Sequence, residues 1–265
     1  AAFGPVARLD LPNLEDVPFG ASSRVEKDSG VRPAGEDADD IPRCQVSNAT
    51  YVDSPLDWAL LTATRRLYRE RSPAPHRSPR PAIRGLLDEM LVLAASDRGT
   101  VETQRDVVVD VLRALMTPVL PPFYRLFVAG KPWGPVATAF VAPVVFGFLV
   151  GPATVNRRSD GAPGGLVVHK CKFLQESGCK GLCLHQCKLP AERLFKDDLG
   201  MDLYVKPNFE TQECQWSWGL AAPDAADDPA WPTGCLAGCP TRQAFSGVVG
   251  GGPAPQARNL TTFCA

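Results

Sequence analysis

Residues 170–219 read KCKFLQESGCKGLCLHQCKLPAERLFKDDLGMDLYVKPNFETQECQWSWG and determine the fold of the C-terminal part. The stretch LVVHKCKFL at 166–174 predicts a strand that leads into it. LPAERLFKDDLG at 189–200 predicts a short helix that ends at Gly200, and MDLYV at 201–205 predicts a second strand. Residues 207–219 predict a turn followed by a third strand. We therefore expect a small, Cys-rich part that contains β-strands.

Upstream of this stretch, apolar residues recur at helical spacing in three segments, 53–71, 83–96 and 101–116. Ser54 and Thr100 are suited to cap the first and third helices, and the prolines from Pro118 to Pro122 end the third. The predicted fold class is α+β, with an N-terminal helical part packed on a small Cys-rich β-containing C-terminal part. The predicted organisation is a disordered or loosely packed leader at 1–50, a helical region at 51–156, the Cys-rich domain at 166–242 and a mobile tail at 243–265.

The composition excludes several functional classes. The 265 residues carry 28 basic and 29 acidic side chains, a formal net charge of −1. A general nucleic-acid binder needs a basic surplus to release counterions, so this balance argues against one. The sequence also lacks a GxGxxG motif after a strand, a Walker loop, a GxSxG motif and an HExxH motif. Nicotinamide enzymes, P-loop NTPases, α/β-hydrolases and zincins are therefore disfavoured.

Residues 132–156 contain no charged side chain. The run is long enough to cross a bilayer, but Pro135, Pro143 and Pro152 are expected to break it into shorter pieces. Three interpretations remain open, namely a buried core segment, a hydrophobic groove or membrane-interface surface, and a membrane span. A surface or channel of this kind would suit a water-insoluble ligand.

The cysteines carry the main chemical signal. Seven of the nine lie between 171 and 239, as Cys171, Cys179, Cys183, Cys187, Cys214, Cys235 and Cys239. Structural zinc is one interpretation, although the outer two of Cys179, Cys183 and Cys187 would lie about 12 Å apart along a regular helix. Disulfides or redox thiols are a second, and a cysteine-ligated iron or iron–sulfur site is a third. A cluster would require a bend in the segment, which Gly178 and Gly181 would permit.

Acid–base candidates near the cysteines are few. His185 lies between Cys183 and Cys187, and Glu176 precedes Cys179. We take His185 and Glu176 as weak catalytic candidates, because both residue types transfer protons. His169 is more typical of an ordinary strand or surface histidine.

The 170–219 stretch resembles the plastid β-carotene isomerases of strigolactone biosynthesis, the dwarf twenty-seven type. That family has a C-x-F-L-E-x-S-x-C-x-G-x-C-x3-C-K-x-P segment, an LGM or LGL turn and a PNF sequence followed by cysteine. The late Cys235-x3-Cys239 pair is similar to the family's own. Weaker similarity extends over residues 51–242, and the Ala- and Pro-rich composition resembles an algal member. The matching residues are Cys171, Phe173, Leu174, Ser177, Cys179, Gly181, Cys183, Cys187, Lys188, Pro190, Leu199, Gly200, Pro207, Asn208, Phe209 and Cys214.

The resemblance implies an iron-dependent carotenoid cis/trans isomerase in the chloroplast, in the stroma or at a thylakoid or envelope surface. It would interconvert all-trans- and 9-cis-β-carotene. The expected partners are a lipophilic carotenoid substrate and a membrane surface. From the cysteine pattern itself, our hypothesis is that iron, mononuclear or in an iron–sulfur cluster, is held by Cys179, Cys183, Cys187 and Cys214, with Cys171, Cys235 and Cys239 as further candidate ligands. A non-enzymatic module, stabilised by zinc or disulfides and bound to a membrane or partner surface, is the alternative.

Overall fold

The computed structural model describes residues 25–27, 49–116, 118–224, 227–229 and 231. Most of the predicted leader, all of the predicted tail and the candidate ligands Cys235 and Cys239 lie outside these residues. The first described elements are two short strands, β1 (Val25–Lys27) and β2 (Ala49–Tyr51), which pair antiparallel.

Three amphipathic helices follow close to their predicted bounds. They are α1 (Pro55–Arg71), α2 (Ala82–Ala95) and α3 (Val101–Leu115). Ser54 and Asp57 form a capping box at the start of α1, and Thr100 caps α3. These contacts satisfy backbone N–H groups that the first helical turn leaves without partners, so both predicted caps are confirmed.

Most of the apolar run forms one helix, α5 (Gly134–Val150), and its end, after Pro152, forms the start of a strand. A short helix, α4 (Leu120–Phe127), precedes α5. The expectation that the prolines break the run is confirmed at Pro152, between the helix and the strand, and is wrong for Pro135 and Pro143. Pro135 lies in the first turn of α5 and Pro152 follows the end of the helix, so neither requires an interior hydrogen bond. Only Pro143 lies inside α5, and packing of the buried face retains the helix around it. The sequence analysis missed α4, which begins at the prolines that were expected only to end α3.

No single helix among the described residues is both long and apolar enough to cross a bilayer. Helices α3 and α4 meet the length and composition requirement only as a pair bent by 87°.

A four-stranded antiparallel sheet lies in the C-terminal part, in the order β3–β4–β6–β5. The strands are β3 (Ala153–Arg157), β4 (Pro163–Val168), β5 (Leu203–Pro207) and β6 (Cys214–Trp218). Central strand β6 pairs Cys214 with Val168 of β4 and with Pro207 of β5. The α+β prediction is confirmed. Strand β4 ends before the predicted 166–174 strand does, because residues from Lys172 onward turn into a helix.

The cysteine-rich stretch is mostly helical. It comprises α6 (Lys172–Ser177), α7 (Lys180–Cys183) and α8 (Leu189–Arg193), with π-helical turns at Leu184–Lys188 and Leu194–Leu199. Gly178 separates α6 from α7 in the left-handed conformation, with φ of 54°, and thus supplies the predicted bend. Gly200 ends the run with φ of 72°, as its sequence position predicts.

An aromatic cluster joins the helical part to the sheet. The Phe146 ring of α5 lies 5.5 Å from the Trp216 ring of β6 and 6.2 Å from the Phe195 ring. Trp218 packs against Phe195 and Trp216 at about 6 Å. These contacts place α5 across one face of the sheet, next to the cysteine-bearing segment.

Candidate functional site

Four cysteines from three separate segments of the chain lie within electrostatic range of one another. Cys171 precedes α6, and its N–H donates to the carbonyl of Gln212 at 2.8 Å, which ties it to the loop before β6. Cys183 ends α7 and Cys187 lies in the π-turn, whereas Cys214 begins β6. The π-turn inserts an extra residue into the helix and alters the direction of the side chains that follow. The equal spacing of the cysteines in the sequence therefore does not place them on one regular helix face.

Burial and mutual proximity keep these thiols protonated. Burial raises the pKa of Cys171 to about 11 and is also the largest cause that raises the pKa of Cys183, Cys187 and Cys214. Neighbouring thiols raise the pKa of Cys183, Cys187 and Cys214 further, and for Cys183 all three of the other thiols contribute. Cys171, Cys183, Cys187 and Cys214 are free thiols. The four thiols are therefore neutral and close enough to interact electrostatically; Cys171, Cys183 and Cys214 are buried, and Cys187 is half-buried.

Cys179 has a capping role. Its sulfur accepts a hydrogen bond from the Leu182 N–H at 3.4 Å at the start of α7. This is the contact that an N-cap serine or threonine makes in other helices. The sequence analysis named Cys179 as a ligand and did not recognise this contact.

The donor arrangement for a metal is incomplete in the part of the chain that the structure covers. There, no three His, Cys, Asp or Glu side chains are grouped closely enough to hold an ion. Soft thiols suit iron or zinc chemically, but the described donors alone do not fit a metal centre. The ligand set, including Cys235 and Cys239, stays a prediction.

The weak acid–base candidates occupy structural positions. Glu176 accepts a hydrogen bond from Arg84 Nε at 2.6 Å, which links α6 to α2. His185 is buried, with Nδ1 at 3.1 Å from Arg105 Nη2 and its ring edge-on to Trp231. His169 contacts the Thr154 hydroxyl at 2.7 Å. A catalytic role for His185 or Glu176 stays a prediction.

A buried charge network next to the thiols was missed by the sequence analysis. Lys188 is only 1% exposed, and its ammonium donates to Glu192 at 2.6 Å and to the Val205 carbonyl at 2.7 Å. It also lies 3.0 Å from Asp228, which accepts a hydrogen bond from the Tyr204 hydroxyl. The spacing of Lys188 and Glu192, four residues apart on a helix, was the only available signal. The positive charge lowers the pKa of Cys183 and Cys214 against the effect of burial.

An apolar cavity of about 470 Å³ opens between the helical part and the second π-turn. Helix α5 contributes the most lining residues, including Val141, Val145 and Phe146, and none of the lining side chains is charged. Two of the lining side chains, Tyr124 and Thr138, carry a hydroxyl group, and these hydroxyls are hydrogen-bonded to each other at 2.5 Å. A lining of this kind selects ligands by apolar contact.

A second cavity of about 40 Å³ lies deeper and reaches the thiol site. It is lined by Cys187, Trp216, Tyr68 and other mostly apolar side chains. Leu112 and Phe146 line both cavities and thus form the wall between them. Cys187 therefore lies on the other side of Leu112 and Phe146 from the large apolar cavity.

The C-terminal part of the chain is similar to proteins of a known family. The profile of the family described as "Beta-carotene isomerase D27-like, C-terminal" matches residues 148–227. This segment is similar to that C-terminal domain, and we refer to residues 148–227 as the D27-like domain because of this match. It contains the five described cysteines, Lys188, Tyr204 and strands β3 to β6. Most of the residues that line the large cavity belong to the helices before it.

Two curated relatives extend the similarity. The "Beta-carotene isomerase D27, chloroplastic" of Medicago truncatula is 31% identical over 153 residues, 56% of this chain and 60% of the relative. The protein of the same name from Arabidopsis thaliana is 34% identical over 110 residues, 40% of this chain and 42% of the relative. The chain thus spans about half the length of these relatives. No solved structure shows significant similarity to it.

Proposed function

We propose that the chain is a carotenoid cis/trans isomerase that interconverts all-trans- and 9-cis-β-carotene in the chloroplast. The observation that carries the proposal is the uncharged 470 Å³ cavity, part of whose lining, Leu194, Phe195 and Leu199, belongs to the D27-like domain. The two relatives are named as chloroplastic β-carotene isomerases, and the lining suits a hydrocarbon substrate of this kind.

The proposed contribution of the cavity is binding and exclusion of water. Apolar contact contributes about 25 cal/mol for each Å² of hydrocarbon removed from water, so a long polyene needs no charged anchor. Rotation about a double bond requires a transient loss of double-bond character, by protonation or by one-electron exchange. The reaction consumes no redox equivalent overall, which is consistent with a sequence that has no nicotinamide-binding motif.

Iron held by cysteine is a separate part of the proposal. Its support is the donor chemistry of four thiols, three buried and one half-buried, that lie within electrostatic range of one another. Because the described donors alone do not fit an ion, binding would require side-chain rearrangement or the participation of Cys235 and Cys239. Metal binding would also have to displace thiol protons, so affinity should fall at low pH.

The test is isomer-resolved chromatography of all-trans-β-carotene incubated with the protein in detergent micelles. The variant Val141→Trp fills the cavity, whereas Val144→Trp makes the same change on the same helix outside the lining. Both valines are 57% exposed, so the two variants should fold equally well. We expect Val141→Trp to slow isomerisation more than tenfold and Val144→Trp to leave it within about twofold. Equal rates in both variants would contradict the assignment of the cavity.

Anaerobic purification followed by metal analysis tests the iron. Cys183→Ser should lose iron and isomerisation together, and retention of both would contradict cysteine ligation at this site. Isomerisation of β-carotene by iron-free wild-type protein would contradict the metal part of the proposal and leave the isomerase part intact.

A further inference from the structure

An apolar face projects from α4 and α5 beside the large cavity. Its side chains are large and hydrophobic, yet they are exposed to solvent. Leu126 is 66% exposed and Phe123 is 53% exposed. On α4 they follow the spacing of a single helix face. We name this surface the apolar face; it comprises Leu120, Phe123, Leu126 and Phe127 of α4 and Val141, Val144 and Val145 of α5.

The apolar face is continuous with the cavity mouth. Leu120, Val141 and Val145 belong to the face and also line the cavity. Tyr124, one helical turn after Leu120, also lines the cavity, and its hydroxyl is hydrogen-bonded to that of Thr138 of α5, which links the two helices at the mouth. A molecule that reaches the apolar face can therefore enter the cavity without crossing a polar rim.

The segment that bears the apolar face is basic in sequence. From Val111 to Ser159 it contains five basic residues and no acidic one. Arg125 of α4 is directed to the second π-turn, where its guanidinium donates to the carbonyls of Asp197 and Asp198, whereas Lys131 is exposed in the connection from α4 to α5. Exposed Trp133 follows in the same connection, and tryptophan is enriched where an apolar phase meets water. An exposed lysine and tryptophan beside apolar side chains match an anionic lipid surface.

We propose that the apolar face docks on the surface of an anionic lipid bilayer and opens the cavity to its hydrocarbon. The docking rests on the apolar face and its charges alone, and the entry of a carotenoid through it rests on the proposed function. Contiguous exposed apolar surface in a water-soluble state is unfavourable, and immersion of a short amphipathic helix in the bilayer interface removes it from water. A second copy of the chain is a poorer occupant, because it would bring the same cationic surroundings together.

Flotation with vesicles tests the docking directly. The probes are phosphatidylcholine vesicles with and without phosphatidylglycerol, and neither contains carotenoid. We expect wild-type protein to float with both and more strongly with the anionic vesicles. Leu126→Glu should reduce the partition coefficient at least about tenfold. The matched control is Leu56→Glu on α1, where the leucine is 59% exposed and lies outside the apolar face; it should bind as the wild type does.

A variant without the Lys131 charge measures the electrostatic contribution to vesicle binding. Lys131→Gln should weaken binding to anionic vesicles about fivefold, as expected for one lysine near a charged surface, and leave binding to neutral vesicles unchanged. Equal binding by Leu126→Glu and Leu56→Glu, or a wild type that does not float, would overturn the proposal. Self-association of the wild type that Leu126→Glu abolishes, without vesicle binding, would overturn it in favour of a second copy.

Isomerisation in detergent micelles distinguishes the two proposals. Leu126 does not line the cavity, so Leu126→Glu should retain the micellar rate while it loses vesicle binding. Vesicle binding without any isomerisation would refute the proposed function alone. Isomerisation in micelles without vesicle binding would refute the docking alone.

Discussion

At the scale of single residues, the buried ammonium of Lys188 is the most consequential group outside the thiols. It lies between Glu192 and Asp228, and over the Tyr204 ring at 4.7 Å. Burial raises the pKa of Glu192 and Lys188 opposes that rise. Loss of the lysine would bring two carboxylates together in a buried site without the cation between them.

We therefore predict that Lys188→Met lowers the free energy of unfolding by about 3–5 kcal/mol, the range found when one partner of a buried ion pair is removed. Urea denaturation measures the change. Lys180→Met is the control, because Lys180 is only half-buried and its ammonium lies over the Phe209 ring at 5.4 Å. Similar losses in both variants would show that the Lys188 network contributes little.

The buried thiols predict an alkaline loss of stability in metal-free protein. The pKa of Cys171 is about 11 in the folded chain, against an ordinary value of 9.0. Below pH 9 the thiol is protonated in both the folded and the unfolded chain. Between pH 9 and 11 only the unfolded chain releases the proton, so each such thiol lowers the free energy of unfolding by about 1.4 kcal/mol per pH unit. Cys171→Ser should flatten this dependence in denaturation curves, and an unchanged slope would contradict burial of the thiol.

At the scale of elements, the sequence predicts the regular parts and misses the irregular ones. Helices α1 to α3 follow from apolar periodicity and from caps such as Ser54, both of which are local signals. The π-turn at Leu184–Lys188 has no such signal, because it depends on packing of the whole 180–199 segment against its neighbours. Pro143 shows the reverse case, in which a local helix breaker is overridden by the buried face of α5. The sequence analysis placed Cys214 in the ligand set and Cys171 only among the further candidates, because the approach of Cys171 to Cys183 depends on that tertiary packing and has no signal in the spacing.

The cap at Cys179 leads to a prediction about α7. Serine accepts the same hydrogen bond from the Leu182 N–H and is among the preferred N-cap residues. Cys179→Ser should therefore change the free energy of unfolding by less than about 1 kcal/mol and leave any bound iron in place. Metal analysis beside Cys183→Ser provides the comparison, and loss of iron in both variants would assign Cys179 to the ligand set.

At the scale of the whole molecule, the cavity belongs to neither half of the chain alone. Leu60, Leu112 and Val141 reach it from the helical part, whereas Leu194, Phe195 and Leu199 reach it from the second π-turn of the D27-like domain. The two halves therefore share one binding space. A ligand bound there stabilises both, because it binds only the state in which they are packed together.

Hydrogen exchange measured with and without β-carotene in micelles should show this coupling. We predict slower amide exchange in α5 and in Leu194–Leu199 together, since opening of either one exposes the ligand to water. The turn between β3 and β4, at residues 158–162, does not line the cavity and serves as the internal control. In Val141→Trp the added indole occupies the cavity, so β-carotene should no longer alter exchange in either segment. Slower exchange in only one of the two segments would mean that the ligand binds elsewhere. The cavity shared by the two halves would then not be the substrate-binding site.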